Sequence, residues 1–405
     1  MRILLINKFF FPKGGADRHF FALKELLERQ GHDVSVFAMA HPKNLPSPYG
    51  RFFVSQVNFE RVQFGWQGLR AAGRMLWSFE ARKKLEQLIA EAKPEIAHLH
   101  NIYHQISPSI LPVLKKHGIP IVQTLHDYKL ISPNYNLYAH GGVCTHGLGG
   151  GWYECAMHRC IKQSFAASLM ESLEMTLHRW MRIYENGVDV FLCPSDFLLR
   201  MISLHASVRR SIRLPLFFDG VAEHSATVGT YALYAGRLSE EKGVMDLIHA
   251  MHGCAFPLKV AGDGPQRALL AGVIRSLGLR NVELLGNQSG DALNGLYDGA
   301  RCVVVPSRCY ENFPLAILEA YAHGKPVVAA DHGGMRELVE EGATGYRFSP
   351  GSVDGLRAAL SRLMNDQAEA QRIGGNAHNY VAQFSRDQFY SQLMNVYASV
   401  LAPHR

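Results

Sequence analysis

The sequence predicts an α/β protein made of two Rossmann-like domains. Apolar runs with the length of strands alternate with helical patterns, and turns that contain glycine follow several of these runs. The pattern starts at Arg2 and starts again near Tyr231. A strand, a glycine turn, a helix and a second strand open a nucleotide-binding α/β half. At 405 residues, the chain is also too long for one ordinary domain.

Composition shifts give the expected domain boundaries. We assign residues 1–212 to an N-terminal domain that carries an irregular insertion at 134–164. Small polar residues at 213–229 indicate a linker, and the strand–helix pattern resumes over 230–384. Residues 385–405 are predicted to form a last helix.

Composition and charge narrow the class of protein. No apolar run reaches the length of about 18 residues that a membrane-spanning helix needs, and the first residues read as a strand rather than a signal peptide. Seven cysteines in a chain of this length favour a reducing, cytoplasmic location. A net charge of +7 favours an anionic partner. The basic residues lack the interleaved aromatic surface of a nucleic-acid module, so no nucleic acid is expected.

Two features of the first half leave alternatives open. Gly14 and Gly15 follow the first strand and precede a helix, where they either let backbone approach a phosphate or simply form a tight turn. A helix predicted over 67–92 places basic side chains on one face, which fits either an anionic membrane surface or a solvated face. The residues of that face are Arg70, Arg74, Trp77 and Lys84.

Polar side chains gather where the predicted strands of the first half end. Ligands of doubly wound sheets bind beyond the carboxyl ends of strands. The residues that follow two such strands here are His100, Asn101, His104, His126 and Asp127. The insertion carries three cysteines whose spacing matches no standard zinc pattern, so they are either metal ligands or buried thiols. These are Cys144, Cys155 and Cys160. A helix over 168–184 follows, and its apolar face comprises Leu169, Leu173, Leu177, Trp180 and Tyr184.

The second half contains a turn that suits a diphosphate. Arg237 and Lys242 flank the turn GRLSEEKG at 236–243, which precedes a helix. Arginine binds phosphate oxygens as a planar fork, and lysine acts as a point charge. Later strands end at Gly264 and Asn287 in similar turns.

Two carboxylates stand eight residues apart in the segment 302–334. Glu311 lies in a loop at a helix entrance, where backbone N–H groups are free, and Glu319 lies in the otherwise apolar helix that follows. A carboxylate in a buried helix needs donors. On spacing alone, Glu311 could equally be a helix N-terminal acid and Glu319 a member of a structural ion pair.

This segment resembles the E-x7-E motif of retaining GT-B glycosyltransferases of family GT4. The similarity includes Asn312, Phe313 and Pro314 after the first glutamate, and Gly333–Gly334 after the second strand. GRLSEEKG and Gly14–Gly15 resemble the family's loops too, so the similarity spans essentially the whole chain. It implies a GT-B fold, in which two Rossmann-like domains face each other across a cleft and the C-terminal helix crosses back to the N-terminal domain.

The resemblance also implies roles for individual residues. Glu311 and the backbone after it would hold the donor sugar, Glu319 would accept hydrogen bonds from the ribose, and His126 would contact the donor sugar or the acceptor. Arg237 and Lys242 would stabilise the leaving diphosphate. The implied catalytic set is Glu311, His126, Arg237 and Lys242. The implied donor-binding set is Gly14, Gly15, Arg237, Lys242, Gly264, Asn287, Glu311, Asn312, Phe313, Pro314 and Glu319.

The function implied is transfer of a sugar, with retention, from a UDP- or GDP-sugar to a glycan or lipid-linked glycan in bacterial surface polysaccharide synthesis. The protein is expected in the cytoplasm, peripheral on the inner face of the membrane. No D-x-D sequence occurs in the chain, so no metal and no other cofactor is expected. The alternatives are a GT-B-fold nucleotide-sugar epimerase and a non-catalytic nucleotide-sugar binder.

Overall fold

The computed structural model describes residues 1–56, 73–206, 208–218 and 229–402. The chain divides into two compact units. The first unit comprises Met1–Tyr135, Thr145–Leu216 and Arg386–Arg405, and the second comprises Asn136–Cys144 and Phe217–Ser385.

Helices and strands alternate through most of the described chain. The strands are β1 Arg2–Ile6, β2 Asp33–Phe37, β3 Ile96–Leu99, β4 Ile121–Thr124, β5 Tyr138–Ala139, β6 Gly142–Val143, β7 Val190–Cys193, β8 Ser211–Arg213, β9 Tyr231–Ala235, β10 Leu258–Ala261, β11 Val282–Gly286, β12 Ala300–Val305, β13 Val327–Ala330 and β14 Gly345–Phe348. The helices, numbered here in chain order, are α1 Gly15–Arg29, α2 Phe79–Ala92, α3 Leu111–Lys116, α4 Trp152–Met157, α5 Phe165–Trp180, α6 Ile183–Gly187, α7 Asp196–His205, α8 Val244–Ala250, α9 Arg267–Ser276, α10 Gly290–Gly299, α11 Leu315–Ala322, α12 Met335–Leu338, α13 Val353–Asn365, α14 Gln367–Val381 and α15 Arg386–Leu401.

Each unit is built on a six-stranded parallel sheet. The order is β2-β1-β3-β4-β7-β8 in the first unit and β11-β10-β9-β12-β13-β14 in the second. Strands β3, β4, β7 and β13 are buried along their whole length, as expected for parallel strands with helices on both faces. This arrangement brings the loops after the strands to one edge of each sheet, so that edge is where a ligand site is expected.

The insertion at 134–164 is more ordered than its composition predicts. Strands β5 and β6 form a short antiparallel hairpin, and α4 packs against α5. The hairpin groups with the second unit, whereas the sequence analysis placed the whole insertion in the N-terminal domain. The last helix, α15, belongs to the first unit and buries Phe389, Leu393 and Tyr397 there.

The single helix predicted over 67–92 is wrong in the part that the structure describes. A helical turn at 73–76 ends before Trp77, and α2 begins afresh at Phe79 because the Ser78 hydroxyl accepts a hydrogen bond from the Ala81 N–H. Arg70 lies outside the described residues. Arg74 and Lys84 each lie 3.2 Å from the Glu80 carboxylate, so they are paired rather than free for a membrane surface.

Helix α5 ends at Trp180, so the single helix predicted over 168–184 is wrong, and the predicted apolar face is largely exposed. Its apolar residues Leu169, Leu173 and Trp180 are exposed, while its buried side includes Ser172 and Glu174. Periodicity identified correctly the face that Leu169, Leu173 and Trp180 share, whereas Tyr184 belongs to the separate helix α6. The buried polar contacts of Glu174 decide which face of α5 points inward. None of the described helices has the length and apolar character needed to cross a bilayer.

Candidate functional site

Lys242 and Glu311 come together at the carboxyl-end edge of the second sheet. Lys242 ends a 3₁₀ turn at Glu240–Lys242 that precedes α8, and Glu311 lies in the loop between β12 and α11. The Lys242 Nζ donates to Glu311 Oε1 at 2.5 Å, and the Ser307 hydroxyl donates to the same oxygen at 2.6 Å. Two loops far apart in sequence therefore place one cation and one carboxylate side by side.

Both members of this pair are charged at neutral pH. Burial favours the neutral amine, but the Glu311 carboxylate outweighs it and raises the pKa of Lys242. Burial likewise opposes ionisation of Glu311, and the Lys242 ammonium overcomes it and lowers the pKa of that carboxyl. The Lys242 side chain remains 30% exposed, so an anionic ligand has access to its ammonium group.

Two glycines allow the loops around this pair to pack tightly. At Gly243, with φ +66°, a Cβ would lie 2.0 Å from the Pro306 carbonyl oxygen. At Gly334, a Cβ would lie 1.8 Å from the Asn312 carbonyl oxygen, and the Gly334 N–H donates to the Glu311 carbonyl at 2.7 Å. The backbone that carries Glu311 is therefore fixed by contacts that a side chain would destroy.

Glu319 is held deeper in the second unit. It lies in α11 with 6% of its surface exposed, and the Tyr297 hydroxyl donates to its Oε2 at 2.7 Å. The Tyr297 ring comes from α10 and stacks on His323, with ring centroids 5.2 Å apart. Sequence reasoning missed Tyr297, because the two residues are 22 positions apart and no motif links them.

The remaining residues predicted to bind the donor differ in exposure. Arg237 is exposed, and within the described ranges no carboxylate pairs with it. Asn287 is also exposed, just after β11. The Phe313 ring packs against Phe384 at 5.6 Å, so only its backbone is available to a ligand. Gly264 follows β10, Asn312 is 8% exposed, and Pro314 is the N-cap of α11.

In the first unit, His126 belongs to a stack of imidazoles. His126 Nε2 lies 2.9 Å from His100 Nδ1, with the two nearly parallel ring centroids 5.2 Å apart, and the His98 and His100 rings are also nearly parallel, with centroids 4.8 Å apart. Burial lowers the pKa of His126 to about 4, and the charge of Lys8 acts in the same direction. Burial also lowers the pKa of His98 to about 3. The stack is therefore neutral at pH 7, and the hydrogen bond to His100 leaves His126 Nδ1 as the nitrogen available to a substrate.

Charged groups lie near this stack. Asp17, in the first turn of α1, is 6% exposed and accepts a hydrogen bond from Asn7 Nδ2 at 2.9 Å. Burial raises the pKa of Asp17 and of Asp127, and it lowers the pKa of Lys8. Gly14, the N-cap of α1, and Gly15 are both exposed beside them.

A buried ionic cluster lies in the first unit, in the loop after β4 and on α5. Lys129 is 5% exposed and contacts the carboxylates of Glu171 and Glu174, the latter at 2.7 Å. In the described part of the chain, ligand atoms of His104, Glu171 and Glu174 lie within 4.8 Å of one another, whereas Cys144, Cys155 and Cys160 form no such group. Because the Lys129 ammonium already contacts both carboxylates, a metal cation bound between them would compete with it.

Comparison with known families decides the class of this protein. Residues 223–380 match the family model "Glycosyl transferases group 1", and residues 13–219 match "Glycosyltransferase Family 4". The chain belongs to the group 1 glycosyltransferases. These matches include Glu311, Glu319, Arg237 and Lys242 in the second unit and His126 in the first.

The similarity of this glycosyltransferase to individual relatives covers nearly its whole length. It is 28% identical over 412 residues to "Uncharacterized glycosyltransferase MJ1607" of Methanocaldococcus jannaschii, covering 98% of each chain. It is 24% identical to "Uncharacterized 42.6 kDa protein in cps region" of Klebsiella pneumoniae, covering 84% of this chain and 87% of the relative. The crystal structure of Anabaena HepE in complex with UDP-glucose matches with a TM-score of 0.65 at 20% identity, covering 98% and 99% of the two chains. The predicted fold class, GT-B with two Rossmann-like domains, is confirmed.

Proposed function

We propose that this glycosyltransferase transfers a sugar from a nucleoside diphosphate donor with retention of anomeric configuration, as a member of GT4. The observation that carries the proposal is the Lys242–Glu311 pair, with Glu319 in the helix that follows Glu311. An incoming diphosphate competes with Glu311 for Lys242. The Lys242 ammonium and the exposed Arg237 guanidinium then stabilise the charge that grows on the leaving group.

Glu311 and Glu319 are proposed to hold different parts of the donor. Glu311 lies at the entrance of α11, beside the partly exposed Lys242 ammonium, and would accept hydrogen bonds from the sugar. Glu319 is buried further along the same helix, with one oxygen accepting a hydrogen bond from Tyr297, and would receive the ribose. The loops at Gly264 and Asn287, at the ends of β10 and β11, would complete the nucleotide pocket.

His126 is proposed to act on the substrate as a neutral hydrogen-bonding group. Burial lowers its pKa to about 4, which favours the neutral imidazole at neutral pH. With Nε2 bonded to His100, its Nδ1 would contact the sugar or the acceptor. Gly14 and Gly15, which precede α1, would contribute backbone N–H groups from the same unit.

The donor is proposed to be a UDP- or GDP-sugar and the acceptor a glycan or a lipid-linked glycan of the bacterial surface. The UDP-glucose bound in HepE supports a uridine donor, and the position of the Klebsiella relative in a cps region supports a surface polysaccharide. The seven cysteines are free, which supports the proposed cytoplasmic location.

Transfer is proposed to need no divalent metal. The chain contains no D-x-D sequence, and the two basic residues of the donor loop supply positive charge where a metal would otherwise neutralise the diphosphate. Assay in excess chelator tests this directly. Loss of transfer that magnesium or manganese restores would contradict it.

The deciding experiment combines a ligand screen with product analysis. Nucleotide sugars are screened by thermal shift, because a ligand at about 100 times its Kd stabilises a protein by about 2.7 kcal/mol. The nucleotide sugar that raises the melting temperature of wild type but not of Lys242→Ala is then incubated with wild type and glycan acceptors. The anomeric configuration of the product is determined by NMR. Inversion would contradict retention. An isomerised free sugar formed without acceptor would instead indicate an epimerase.

A further inference from the structure

Helix α5 presents an apolar face to solvent and buries a polar one. Phe165, Leu169, Leu173 and Trp180 are 48%, 38%, 49% and 81% exposed. At about 100° per residue, these four positions fall within an arc of about 80° that is about 22 Å long. Thr176 is the only other residue inside that arc, and its hydroxyl donates to the Ser172 carbonyl of the same helix. We call this surface the α5 stripe.

Buried polar contacts fix the rotation of α5. Glu174, on the opposite side of the helix, is 1% exposed and pairs with Lys129. His178 Nε2 donates to the Leu76 carbonyl at 3.0 Å, and the Ser172 hydroxyl donates to the Trp152 carbonyl at 2.9 Å. A rotation that buried the leucines would separate Glu174 from Lys129 and leave a buried charge unpaired, which is strongly unfavourable. The exposure of the α5 stripe is therefore built into the first unit.

Basic residues stand at both ends of the stripe. Arg159 and Lys162 are exposed just before α5, and within the described residues neither has an acidic partner. Arg182 is exposed just after the helix, beside Glu185. No acidic side chain lies on the stripe. Helix α4, which packs against α5, exposes Tyr153 and Met157 by 58% and 73%.

We propose that the α5 stripe is the surface through which this protein lies on an anionic lipid bilayer. The leucines enter the boundary between headgroups and acyl chains, Phe165 and Trp180 lie at the interface at either end, and Arg159 and Lys162 contact anionic headgroups. A second copy of the chain is a poorer occupant. Whichever way two stripes are paired, the basic ends of one meet the basic ends of the other.

Vesicle co-sedimentation tests the proposal. Wild type should bind phosphatidylcholine vesicles that contain phosphatidylglycerol, and binding should weaken with salt and with removal of the anionic lipid. The double variant Leu169→Gln/Leu173→Gln should reduce the partition coefficient by about tenfold or more, because both side chains are expected in the acyl boundary. The matched control is Leu269→Gln on α9 of the second unit, where the leucine is 56% exposed, and it should leave binding unchanged. The charge variant Arg159→Gln/Lys162→Gln should reduce binding only to the anionic vesicles.

A fluorescence measurement tests the proposal even if the glutamine variants do not fold, because it uses only wild type and the conservative variant Trp180→Phe. Brominated lipids should quench the fluorescence of wild type more than that of Trp180→Phe, because Trp180 would lie within reach of the acyl chains. Failure of wild type to bind the anionic vesicles would overturn the proposal, and so would unchanged binding by the double glutamine variant. A wild-type dimer that this double variant dissociates, with no vesicle binding, would assign the stripe to a second copy. Thermal shift with nucleotide sugars should be the same for all of these proteins, so the outcome is independent of the donor site.

Discussion

At the residue scale, Lys242 is expected to matter more than its surface position suggests. Its ammonium serves both the buried Glu311 carboxylate and, in our proposal, the leaving diphosphate. Lys242→Ala should lower kcat/KM by about 10²–10³, equivalent to about 2.7–4 kcal/mol of transition-state stabilisation. Addition of Arg237→Ala should lower it further. Steady-state turnover of the donor measures this.

The control for Lys242 is Lys259→Ala, which removes a lysine of β10 that lies over the Tyr231 ring in the same unit. This change should leave turnover within a few-fold of wild type. If the Lys242→Ala/Arg237→Ala double variant did the same, the diphosphate would bind elsewhere.

Substitutions of Glu311 and Glu319 should affect different steps, the first turnover and the second nucleotide binding. Glu311→Gln should lower kcat and change which sugar is accepted, since Glu311 lies at the helix entrance beside the partly exposed Lys242 ammonium. Glu319→Gln should mainly weaken nucleoside diphosphate binding. Tyr297→Phe should weaken nucleotide binding in the same direction but less, because it removes only one donor to Glu319. Calorimetric titration of the nucleoside diphosphate, with kcat for each variant, tests the assignment. A loss of nucleotide affinity in Glu311→Gln but not in Glu319→Gln would reverse the orientation of the donor.

At the scale of elements, Gly334 tests the close packing of two loops. A Cβ at this position would meet the Asn312 carbonyl oxygen at 1.8 Å, and a backbone atom cannot swing aside as a side chain can. Gly334→Ala should therefore lower the free energy of unfolding of the second unit by about 1–3 kcal/mol and weaken donor binding. Gly272→Ala is the matched control. It lies within α9 with no atom within 4 Å of the added Cβ, so it should stabilise the unit by about 0.4–1 kcal/mol. Urea denaturation of both variants decides between them.

What the sequence predicts about elements depends on whether the information is local. The turn that carries Lys242 and the loop that carries Glu311 are predictable, because each follows a strand and precedes a helix. The start of α2 at Phe79 was missed, although Ser78 is a good capping residue, because the apolar period continues across it. The orientation of α5 could not be predicted. Periodicity identifies which residues share a face of the helix, but it does not show on which side of the helix Lys129 lies to pair with Glu174. Tyr297 was missed because its contact with Glu319 exists only after two helices pack.

At the scale of the whole molecule, the imidazole stack links the first sheet to the chain terminus. His98 Nδ1 lies 2.7 Å from the hydroxyl of Tyr397 in α15, and its Nε2 lies 2.8 Å from the Thr124 hydroxyl in β4. Both ring nitrogens are thus engaged while the ring is neutral. The stability of the first unit should therefore depend on keeping this stack uncharged.

The direction of the pH dependence follows from the lowered pKa values. His98 has a pKa of about 3 in the folded protein, against about 6.5 in the unfolded chain, so the unfolded state binds more protons in acid. The stability is fully present above pH 6.5 and declines as pH falls from there towards the folded pKa values of His98 and His126. At about pH 5, the lowered pKa of His98 alone should reduce the free energy of unfolding of the first unit by about 2 kcal/mol relative to neutral pH. His98→Gln should flatten this decline, whereas His249→Gln, which changes an exposed histidine of α8, should leave it unchanged. Urea unfolding of each protein at about pH 7.5, 6 and 5 measures how the free energy of unfolding changes with pH. If the transition of the first unit did not depend on pH over this range, the stack would accept protons without unfolding, and the prediction would be wrong.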